Sequence, residues 1–355
     1  MNVSEFDFDL PPDLIAQEPP AERGGSRLLA LDRSSGRICH HPFSALPSLL
    51  NPGDVIVVND TRVFPARLIG KRLPGGGAAE CFLVKPAEPA RLSAADETWV
   101  ALVHPGQRLR AGSQMVFEDG NRRLHAEVTG MHFHGRRTVR LWTDDGAPVR
   151  DAVDALGHVP LPPYIKRGDA AADRDRYQTV YARARGSIAA PTAGLHFTPA
   201  LLASLDARGI TTLSITLHVG YGTFQPIRVE RIEDHEMEPE HYDVPVETAA
   251  ALSAAKREGR RISADGTTST RTHESLPIDA TGEVRPGSGD TALFIHPGHP
   301  FQLVSGLVTN FHLPRSSLIM LVCALAGTDH VLSAYREAVA KGYRFYSYGD
   351  AMVIL

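Results

Sequence analysis

The chain has 355 residues, of which 43% are hydrophobic and 22% charged, and its formal net charge at pH 7 is −4. This composition is ordinary for a soluble globular protein, and the length predicts two domains or one large domain with an insertion. The small net charge neither supports nor excludes an RNA partner, which would need a local basic patch.

The cysteines and the apolar segments narrow the class of protein further. Cys39, Cys81 and Cys323 lie far apart and form no Cys-x-x-Cys pair, which argues against a disulfide framework or a cysteine-based zinc site and fits a reducing cytosol. The acidic N-terminus lacks the order of a signal peptide. The strongest apolar run, 317–327, is shorter than the roughly 20 residues that a membrane-spanning helix needs. We expect a cytoplasmic protein and predict a buried helix at 317–327.

The first half of the chain changes from a mixed pattern to one of β-strands alone. A continuous apolar run at 55–60 predicts a buried strand. Between 66 and 149, short strand-like segments alternate with turn residues and show no helical period. These segments are 81–84, 99–103, 114–117, 124–128 and 138–142. They predict a small antiparallel β-barrel or sandwich, inserted into an α/β domain formed by residues 1–65 and 150–355.

Strands and helices alternate again in the second half of the chain. Strands are predicted at 211–219, 261–264, 301–309 and 343–355, and helices at 246–258, 316–326 and 329–341. Another helix is predicted from Thr198 and Pro199, a typical N-cap and N1 pair, to Gly209. Glycines also follow the other predicted helices. The glycine-rich stretch at 282–289 is predicted to be a loop.

Four polar junctions that contain glycine or histidine lie at strand ends or helix starts. They cover 188–202, 217–226, 265–275 and 309–314. Unpaired backbone N–H groups at a helix start can bind an anionic or polar ligand group. Because ligands of open α/β sheets bind beyond the carboxyl ends of the strands, we predict that the four junctions meet in one crevice. The alternative is four unrelated loops.

A metal site and an RNA-binding face are the other interpretations. The 16 histidines form no His-Glu-x-x-His motif and the cysteines are unpaired, so we expect no catalytic metal. A basic cluster borders two tyrosines that could stack on bases while the cations bind phosphate. Its members are Lys166, Arg174, Arg176, Arg183 and Arg185, with Tyr177 and Tyr181. Neighbouring aspartates favour a neutralised, solvated face instead.

Several ordered motifs together resemble the S-adenosylmethionine:tRNA ribosyltransferase-isomerase family of queuosine biosynthesis, from residue 6 to the C-terminus. They are Ala21-Glu-Arg-Gly-Gly-Ser-Arg-Leu-Leu, Val57-Val-Asn-Asp-Thr-Arg-Val, Ala189-Ala-Pro-Thr-Ala-Gly-Leu-His-Phe-Thr, His218-Val-Gly-Tyr-Gly-Thr-Phe-Gln-Pro, Thr309-Asn-Phe-His-Leu-Pro and Tyr346-Ser-Tyr-Gly-Asp-Ala-Met. One segment departs from the family pattern. This chain has Asp265 where the family usually has an apolar residue, and His273 where it has leucine.

The resemblance implies an α/β domain interrupted by a β-barrel, and an enzyme. The enzyme would transfer and isomerise the ribosyl group of S-adenosylmethionine onto 7-aminomethyl-7-deazaguanine at the wobble position of tRNA. The products would be epoxyqueuosine-tRNA, adenine and methionine. The resemblance implies S-adenosylmethionine as a co-substrate, no prosthetic group and no metal, and we expect a monomer. The alternative is a tRNA-binding protein that has lost turnover through the two departures.

The implied chemistry suggests roles for particular residues. A base must remove the ribose C5′ proton beside the sulfonium, and a proton donor assists the leaving adenine. His196 and His218 are candidates for proton transfer because histidine titrates near neutrality. Asp60 and Asp350 are candidates for the base or for pairing with the sulfonium.

A second group of residues is expected to bind the substrates. Gly266, Thr267 and Thr268 would hold the ribose or the methionine carboxylate, and Arg62 and Arg271 a tRNA phosphate or that carboxylate. The remaining predicted binding residues are Thr192, Gly194, Tyr221, Gly222, Thr223, Glu274, Asn310 and His312.

Overall fold

The structure is a computed structural model that describes residues 1–224 and 227–355, with all of their side chains except those of 88–92, 134 and 224. Gln225 and Pro226, at the end of the predicted junction 217–226, lie outside the described residues. The chain divides into two compact units. The first comprises Met1–Arg62, Pro163–Arg167 and Arg176–Leu355, and the second comprises Val63–Pro162 and Gly168–Asp175.

The helices and strands are numbered in chain order. The strands are β1 (Arg27–Leu31), β2 (Ile38–Pro42), β3 (Val55–Asn59), β4 (Thr61–Val63), β5 (Arg67–Leu73), β6 (Ala78–Ser93), β7 (Asp96–His104), β8 (Gln114–Asp119), β9 (Arg122–Met131), β10 (Arg136–Trp142), β11 (Ala184–Ser187), β12 (Thr211–Leu217), β13 (Glu240–Val244), β14 (Ile262–Asp265), β15 (Gly287–Thr291), β16 (Gly306–Asn310) and β17 (Ala351–Ile354). The α-helices are α1 (Leu46–Leu49), α2 (Val149–Leu156), α3 (Asp173–Arg176), α4 (Pro199–Ala207), α5 (Val246–Arg257), α6 (Gly266–Ser275), α7 (Ser317–Ala326) and α8 (Thr328–Ala340).

The first unit contains a nine-stranded sheet with the order β15-β13-β12-β3-β14-β16-β17-β1-β2. Strands β12, β3, β14 and β16 are parallel to one another, whereas β17 is antiparallel to β16 and parallel to β1. The last residues of the four parallel strands therefore lie on the same edge as the first residues of β17 and β1. We call this the carboxyl edge; the strands end there at Leu217, Asn59, Asp265 and Asn310.

The central strands of the sheet are buried, as expected for parallel strands in an α/β domain. Every residue of β3, β14, β16 and β17 is buried. Helix α7 is buried along most of its length, with the Ser316 hydroxyl accepting a hydrogen bond from Ile319 N–H at its start. The predicted buried helix at 317–327 is thus confirmed. Within the described residues no single helix could cross a membrane by length and apolarity; α7 and α8 meet that test only as a pair, and they are bent by 117°.

The second unit contains a closed six-stranded barrel with the order β10-β7-β6-β5-β8-β9. Alternate residues of β7 are buried, including Trp99, Ala101 and Val103, as expected for a strand with one face in a barrel interior. The fold class predicted from the sequence, α/β with an inserted antiparallel barrel, is confirmed. The unit extends beyond the predicted limits of 66–149, because α2 packs its buried residues Val149 and Val153 on β8 and β9.

Three predicted elements differ from the structure. The strand predicted at 301–309 begins only at Gly306, and the strand predicted at 343–355 is limited to Ala351–Ile354. The Asp350 carboxylate accepts a hydrogen bond from Arg344 N–H (2.9 Å), which closes 344–350 into a loop. The prediction of a loop over all of 282–289 was wrong, because Gly287–Thr291 forms β15 and pairs with β13.

Candidate functional site

A cavity lies at the carboxyl edge, entirely within the first unit, and contains about 570 Å³ of open space. The cavity is lined by Tyr164, Tyr177, Ala189, Ala190, Pro191, Thr192, Ala193, Val219, Thr223, Gly266, Thr267, Thr268, Thr309, Asn310, His312, Leu318, Tyr346 and Ser347. All four predicted junctions contribute to it. No Asp, Glu, Lys or Arg is among these described lining residues.

One wall of the cavity is the first turn of α6. The helix begins directly after β14, at Gly266, whose φ of +84° favours glycine. A Cβ atom at Gly266 would lie 3.5 Å from the Cβ of Ala193, which lines the same cavity. The unpaired N–H groups of this turn and the hydroxyls of Thr267 and Thr268 thus lie beside the open space.

Tyr164 and Tyr346 also line the cavity, and neither was predicted from the sequence to be a site residue. Burial raises the pKa of Tyr346 to about 12 and that of Tyr164 well above its ordinary value, so both rings are neutral hydrogen-bond donors. Tyr346 has a φ of +72°, which is rare for a residue with a side chain. Its N–H donates to Phe311 O (2.9 Å), and its carbonyl accepts from Gly349 N–H (2.9 Å). Tyr346 begins one of the motifs that carry the family resemblance, but no role in the site was predicted for it.

His196 lies behind the cavity wall. It belongs to a short 3-10 turn, Thr192–His196, and is followed by the predicted N-cap, Thr198, whose hydroxyl accepts a hydrogen bond from Leu201 N–H (3.1 Å). The ring is 3% exposed, and burial lowers its pKa to about 4. Its Nδ1 is 2.9 Å from Ser26 Oγ and its Nε2 is 3.0 Å from Asn310 Nδ2. Asn310, not His196, lines the cavity.

The other three predicted catalytic residues do not line the cavity. His218 is partly buried, with Nδ1 2.8 Å from Thr61 Oγ1, and burial lowers its pKa. Asp60 accepts hydrogen bonds from the Arg183 guanidinium (2.6 Å) and from the Thr216 hydroxyl (2.6 Å).

The carboxylate of Asp350 is also engaged by hydrogen bonds within the protein. It accepts hydrogen bonds from the backbone N–H groups of Arg27 (2.8 Å) and Arg344 (2.9 Å) and from the Arg27 guanidinium (2.8 Å). Both carboxylates therefore hold strand ends and loops together, and neither lies where it would pair with a ligand in the cavity.

The predicted binding residues also separate into two groups. Thr192, Thr223, Gly266, Thr267, Thr268, Asn310 and His312 line the cavity. Gly194, Tyr221, Gly222, Arg62, Arg271 and Glu274 do not.

Several of the predicted binding residues outside the lining make contacts that stabilise the fold. Arg271 is buried, forms an ion pair with Glu240 and donates to Leu293 O (2.9 Å). Glu274 accepts from three consecutive N–H groups, at 302–304, at 2.7–3.0 Å. A Cβ atom at Gly194 would lie 2.1 Å from the hydroxyl of Tyr181, so close packing requires glycine there. Arg62 is exposed on β4.

His312 is the one histidine among the described lining residues. Burial lowers its pKa to about 3, so the ring is neutral. Its Nε2 is 2.8 Å from Thr309 Oγ1, and its backbone N–H donates to the hydroxyl of Tyr335 (3.1 Å). The ring is therefore held in one orientation at the carboxyl edge.

The two departures from the family pattern are accommodated inside the first unit. Asp265 accepts a hydrogen bond from the hydroxyl of Tyr181, and burial raises the pKa of its carboxyl to about 7. His273 donates from Nδ1 to Ser269 O, one turn earlier in α6. Neither residue is part of the cavity lining, so the departures leave the composition of the wall unchanged.

The alternative site types find little support in the described part of the chain. No group of three His, Cys, Asp or Glu side chains there could hold a metal ion. In the basic cluster, Arg183 pairs with Asp60 and Arg176 donates to Ala21 O (3.1 Å). Tyr177 is 1% exposed, so its ring is not available to stack on a base at the protein surface.

Comparison with known proteins agrees with this architecture. The sequence profile of the family described as queuosine biosynthesis protein matches residues 3–354. The chain belongs to this family. The chain is 51% identical over 355 residues to the S-adenosylmethionine:tRNA ribosyltransferase-isomerase of Anaeromyxobacter dehalogenans, covering 100% of this chain and 99% of that protein.

Two further relatives lead to the same conclusion. The S-adenosylmethionine:tRNA ribosyltransferase-isomerase of Heliobacterium modesticaldum is 49% identical over 357 residues, with both chains fully covered. The crystal structure of S-adenosylmethionine tRNA ribosyltransferase from Thermotoga maritima is 37% identical and has a TM-score of 0.55, covering 99% of this chain and 100% of that one. The family membership predicted from the sequence motifs is therefore confirmed.

Proposed function

We propose that the protein is an S-adenosylmethionine:tRNA ribosyltransferase-isomerase. It transfers the ribosyl group of S-adenosylmethionine to 7-aminomethyl-7-deazaguanine at the tRNA wobble position, with isomerisation to epoxyqueuosine and release of adenine and methionine. The relatives that carry this name match the whole chain. The observation that carries the proposal is the neutral, tyrosine-lined cavity that adjoins the first turn of α6 at the carboxyl edge.

The first turn of α6 suits the carboxylate of the methionine moiety. Its N–H groups have no partner within the helix, and the helix dipole favours a negative group at this end. The hydroxyls of Thr267 and Thr268 lie in the same wall. Gly266 lets the chain turn directly from β14 into the helix, which brings these donors to the cavity.

The tyrosine wall suits the sulfonium. An aromatic face attracts a cation through the ring quadrupole, and the raised pKa values of Tyr164 and Tyr346 keep these rings neutral. Asp60 and Asp350, the carboxylates predicted to pair with the sulfonium, are engaged by arginines outside the lining. The proposed cation site is therefore aromatic rather than acidic.

The reaction draws its activation from the substrate itself. The sulfonium acidifies the neighbouring C5′ hydrogen and makes methionine a good leaving group, so the proposal includes no metal and no prosthetic group. His312 presents a neutral imidazole to the cavity, and we assign it to bind a polar group of the substrate. We further propose a monomeric, cytoplasmic enzyme, as expected from the sequence.

The test is adenine release. The purified protein is incubated with S-adenosylmethionine and tRNA that carries 7-aminomethyl-7-deazaguanine, and adenine and the modified nucleoside are measured by chromatography and mass spectrometry. We expect both products in equal amounts, and no adenine with tRNA that carries guanine at the wobble position. Binding of tRNA without adenine release would instead show an inactive relative, and loss of activity with a chelator would show a metal enzyme.

A further inference from the structure

The side-chain amide of Asn310 has a defined orientation. One terminal atom of the amide is 3.1 Å from the carbonyl oxygen of Tyr346. A carbonyl oxygen only accepts hydrogen bonds, so the facing atom must be the nitrogen, Nδ2, and not the oxygen. A flipped amide would place two oxygens in contact and lose this bond.

The orientation of Asn310 fixes the state of His196. The second hydrogen of Nδ2 points to His196 Nε2 at 3.0 Å, so that ring nitrogen must be an unprotonated acceptor. The imidazole proton is then on Nδ1, where it donates to Ser26 Oγ at 2.9 Å. The ring also packs against Phe43, with centroids 5.0 Å apart. Both nitrogens of His196 are therefore occupied in the resting protein.

The amide oxygen of Asn310 is buried and has no hydrogen-bond partner within the described residues. The residue as a whole is 2% exposed. A buried acceptor without a partner is costly to a folded protein. His196 and Tyr346 take the Nδ2 side of the amide, and Asn310 lines the cavity, so Oδ1 is the polar atom of this side chain that remains for a ligand.

The same amide holds Tyr346 in its unusual backbone conformation. The carbonyl that Asn310 binds belongs to the residue with φ +72°, and the ring of that residue forms part of the cavity wall together with Tyr164. Strained backbone persists where the surroundings over-determine it, and such sites are often functional. Ser26, His196, Asn310 and Tyr346 thus form one chain of contacts that ends in the cavity.

We infer that His196 is a positioning residue, which fixes the Asn310 amide so that Asn310 Oδ1 accepts a hydrogen bond from an N–H or O–H group of S-adenosylmethionine. The identity of the ligand rests on the proposed function. Two donors of that molecule have this chemistry, the α-ammonium group and the hydroxyls of the ribose. His196 itself transfers no proton in this arrangement.

The kinetic test compares two substitutions of His196. Gln at this position can accept from Asn310 Nδ2 but cannot exchange a proton near neutrality, whereas Ala can do neither. We expect His196→Gln to keep kcat/KM within about threefold and the wild-type pH profile, and His196→Ala to raise KM for S-adenosylmethionine about tenfold or more, the usual effect of one lost hydrogen bond. The matched control is His104→Gln on β7, at an exposed histidine, which should match the wild type.

Equal loss of kcat in His196→Gln and His196→Ala, with wild-type activity intact, would overturn the positioning role and leave the proposed function standing. An inactive wild type would overturn the proposed function itself. A measurement without variants is ¹⁵N NMR of the histidine rings in the full chain. We expect His196 to be the Nδ1–H tautomer at pH 7; a proton on Nε2 or a charged ring would overturn the inference.

The donor is identified with 5′-methylthioadenosine, which keeps the adenosine moiety of the substrate but lacks its α-amino group. If Asn310 binds the α-ammonium, Asn310→Leu lowers the affinity for S-adenosylmethionine about tenfold or more and leaves the affinity for 5′-methylthioadenosine unchanged, as measured by calorimetry. If it binds the ribose, both ligands weaken together. Unchanged affinity for both, in a variant that melts as the wild type does, would show that Oδ1 is not a binding atom.

Discussion

Replacing Asp265 by Asn is expected to stabilise the protein in a pH-dependent manner. The carboxyl of Asp265 is completely buried and has one partner, the hydroxyl of Tyr181, while its Oδ1 has none within the described chain. Burial raises its pKa from 3.8 to about 7. Asn has the shape of the neutral carboxyl and can still accept from Tyr181, so the substitution removes mainly the cost of ionisation.

The magnitude follows from the two pKa values. The folded protein keeps this proton up to about pH 7, whereas the unfolded chain loses it near pH 3.8. The folded state therefore binds more protons in this window, and the free energy of unfolding falls as the pH rises through it. At about 1.4 kcal/mol per pKa unit, the cost of Asp265 is about 1–2 kcal/mol at pH 5 and about 4 kcal/mol above pH 7.

Thermal denaturation at a series of pH values measures this effect. We expect Asp265→Asn to raise Tm by about 5–8 °C at pH 8.5 and by much less at pH 5. His196 and His312, whose pKa values are lowered by burial, cost stability on acidification instead, but they do so equally in both proteins and cancel in the difference. Asp9→Asn, the same change at an exposed position, should leave Tm within about 1 °C. A gain of equal size at both pH values, or a lower Tm at pH 8.5, would refute the reasoning.

Three further substitutions test the site. Tyr346→Leu should weaken the binding of S-adenosylmethionine about 5- to 30-fold, because a cation–π contact is lost. It should hardly change the binding of 5′-methylthioadenosine, which has a neutral sulfur. Equal losses of affinity for both ligands in calorimetry would contradict an aromatic sulfonium site. Gly266→Ala should lower the free energy of unfolding by about 1–2 kcal/mol because of the positive φ, and it should also weaken the binding of S-adenosylmethionine. The control is Gly282→Ala, at φ +85° with no atom within 4 Å of an added Cβ, which should affect stability alone. Asp350→Asn should cost about 2–4 kcal/mol in urea unfolding, since its carboxylate bridges Arg27 and Arg344; a much larger loss in kcat with unchanged stability would support the catalytic role predicted for it from the sequence.

The sequence was sufficient to predict the place of the cavity. Parallel strands must present their carboxyl ends on one edge, so polar residues after β12, β14 and β16 were expected to meet, and the lining of the cavity contains residues from each of these loops. The start of α4 followed from the capping chemistry of Thr198, and α7 from its uninterrupted apolar run. These features depend on local pattern and strand direction, which the sequence contains.

The roles of individual side chains could not be predicted in the same way. Spacing does not tell whether His196 lies in the cavity wall or behind it, because that depends on how the turn packs against β16 and Phe43. Tyr346 is far from Tyr164 and Tyr177 in the chain, and all three occur in segments without periodicity, so no pattern links them. Strand β15 has a loop-like composition and exists because its backbone pairs with β13.

The absence of charged side chains from the described cavity lining has a consequence for ionic strength. Salt screens interactions between formal charges, with a Debye length of about 8 Å under physiological conditions. A ligand whose sulfonium is held by tyrosine faces and whose carboxylate is held by the dipoles of a helix N-terminus has little to lose to such screening, so added salt should hardly change the affinity for S-adenosylmethionine. Binding of tRNA, which displaces counterions from phosphates, should weaken steeply over the same range. Added salt should thus weaken the binding of tRNA but hardly change the binding of S-adenosylmethionine.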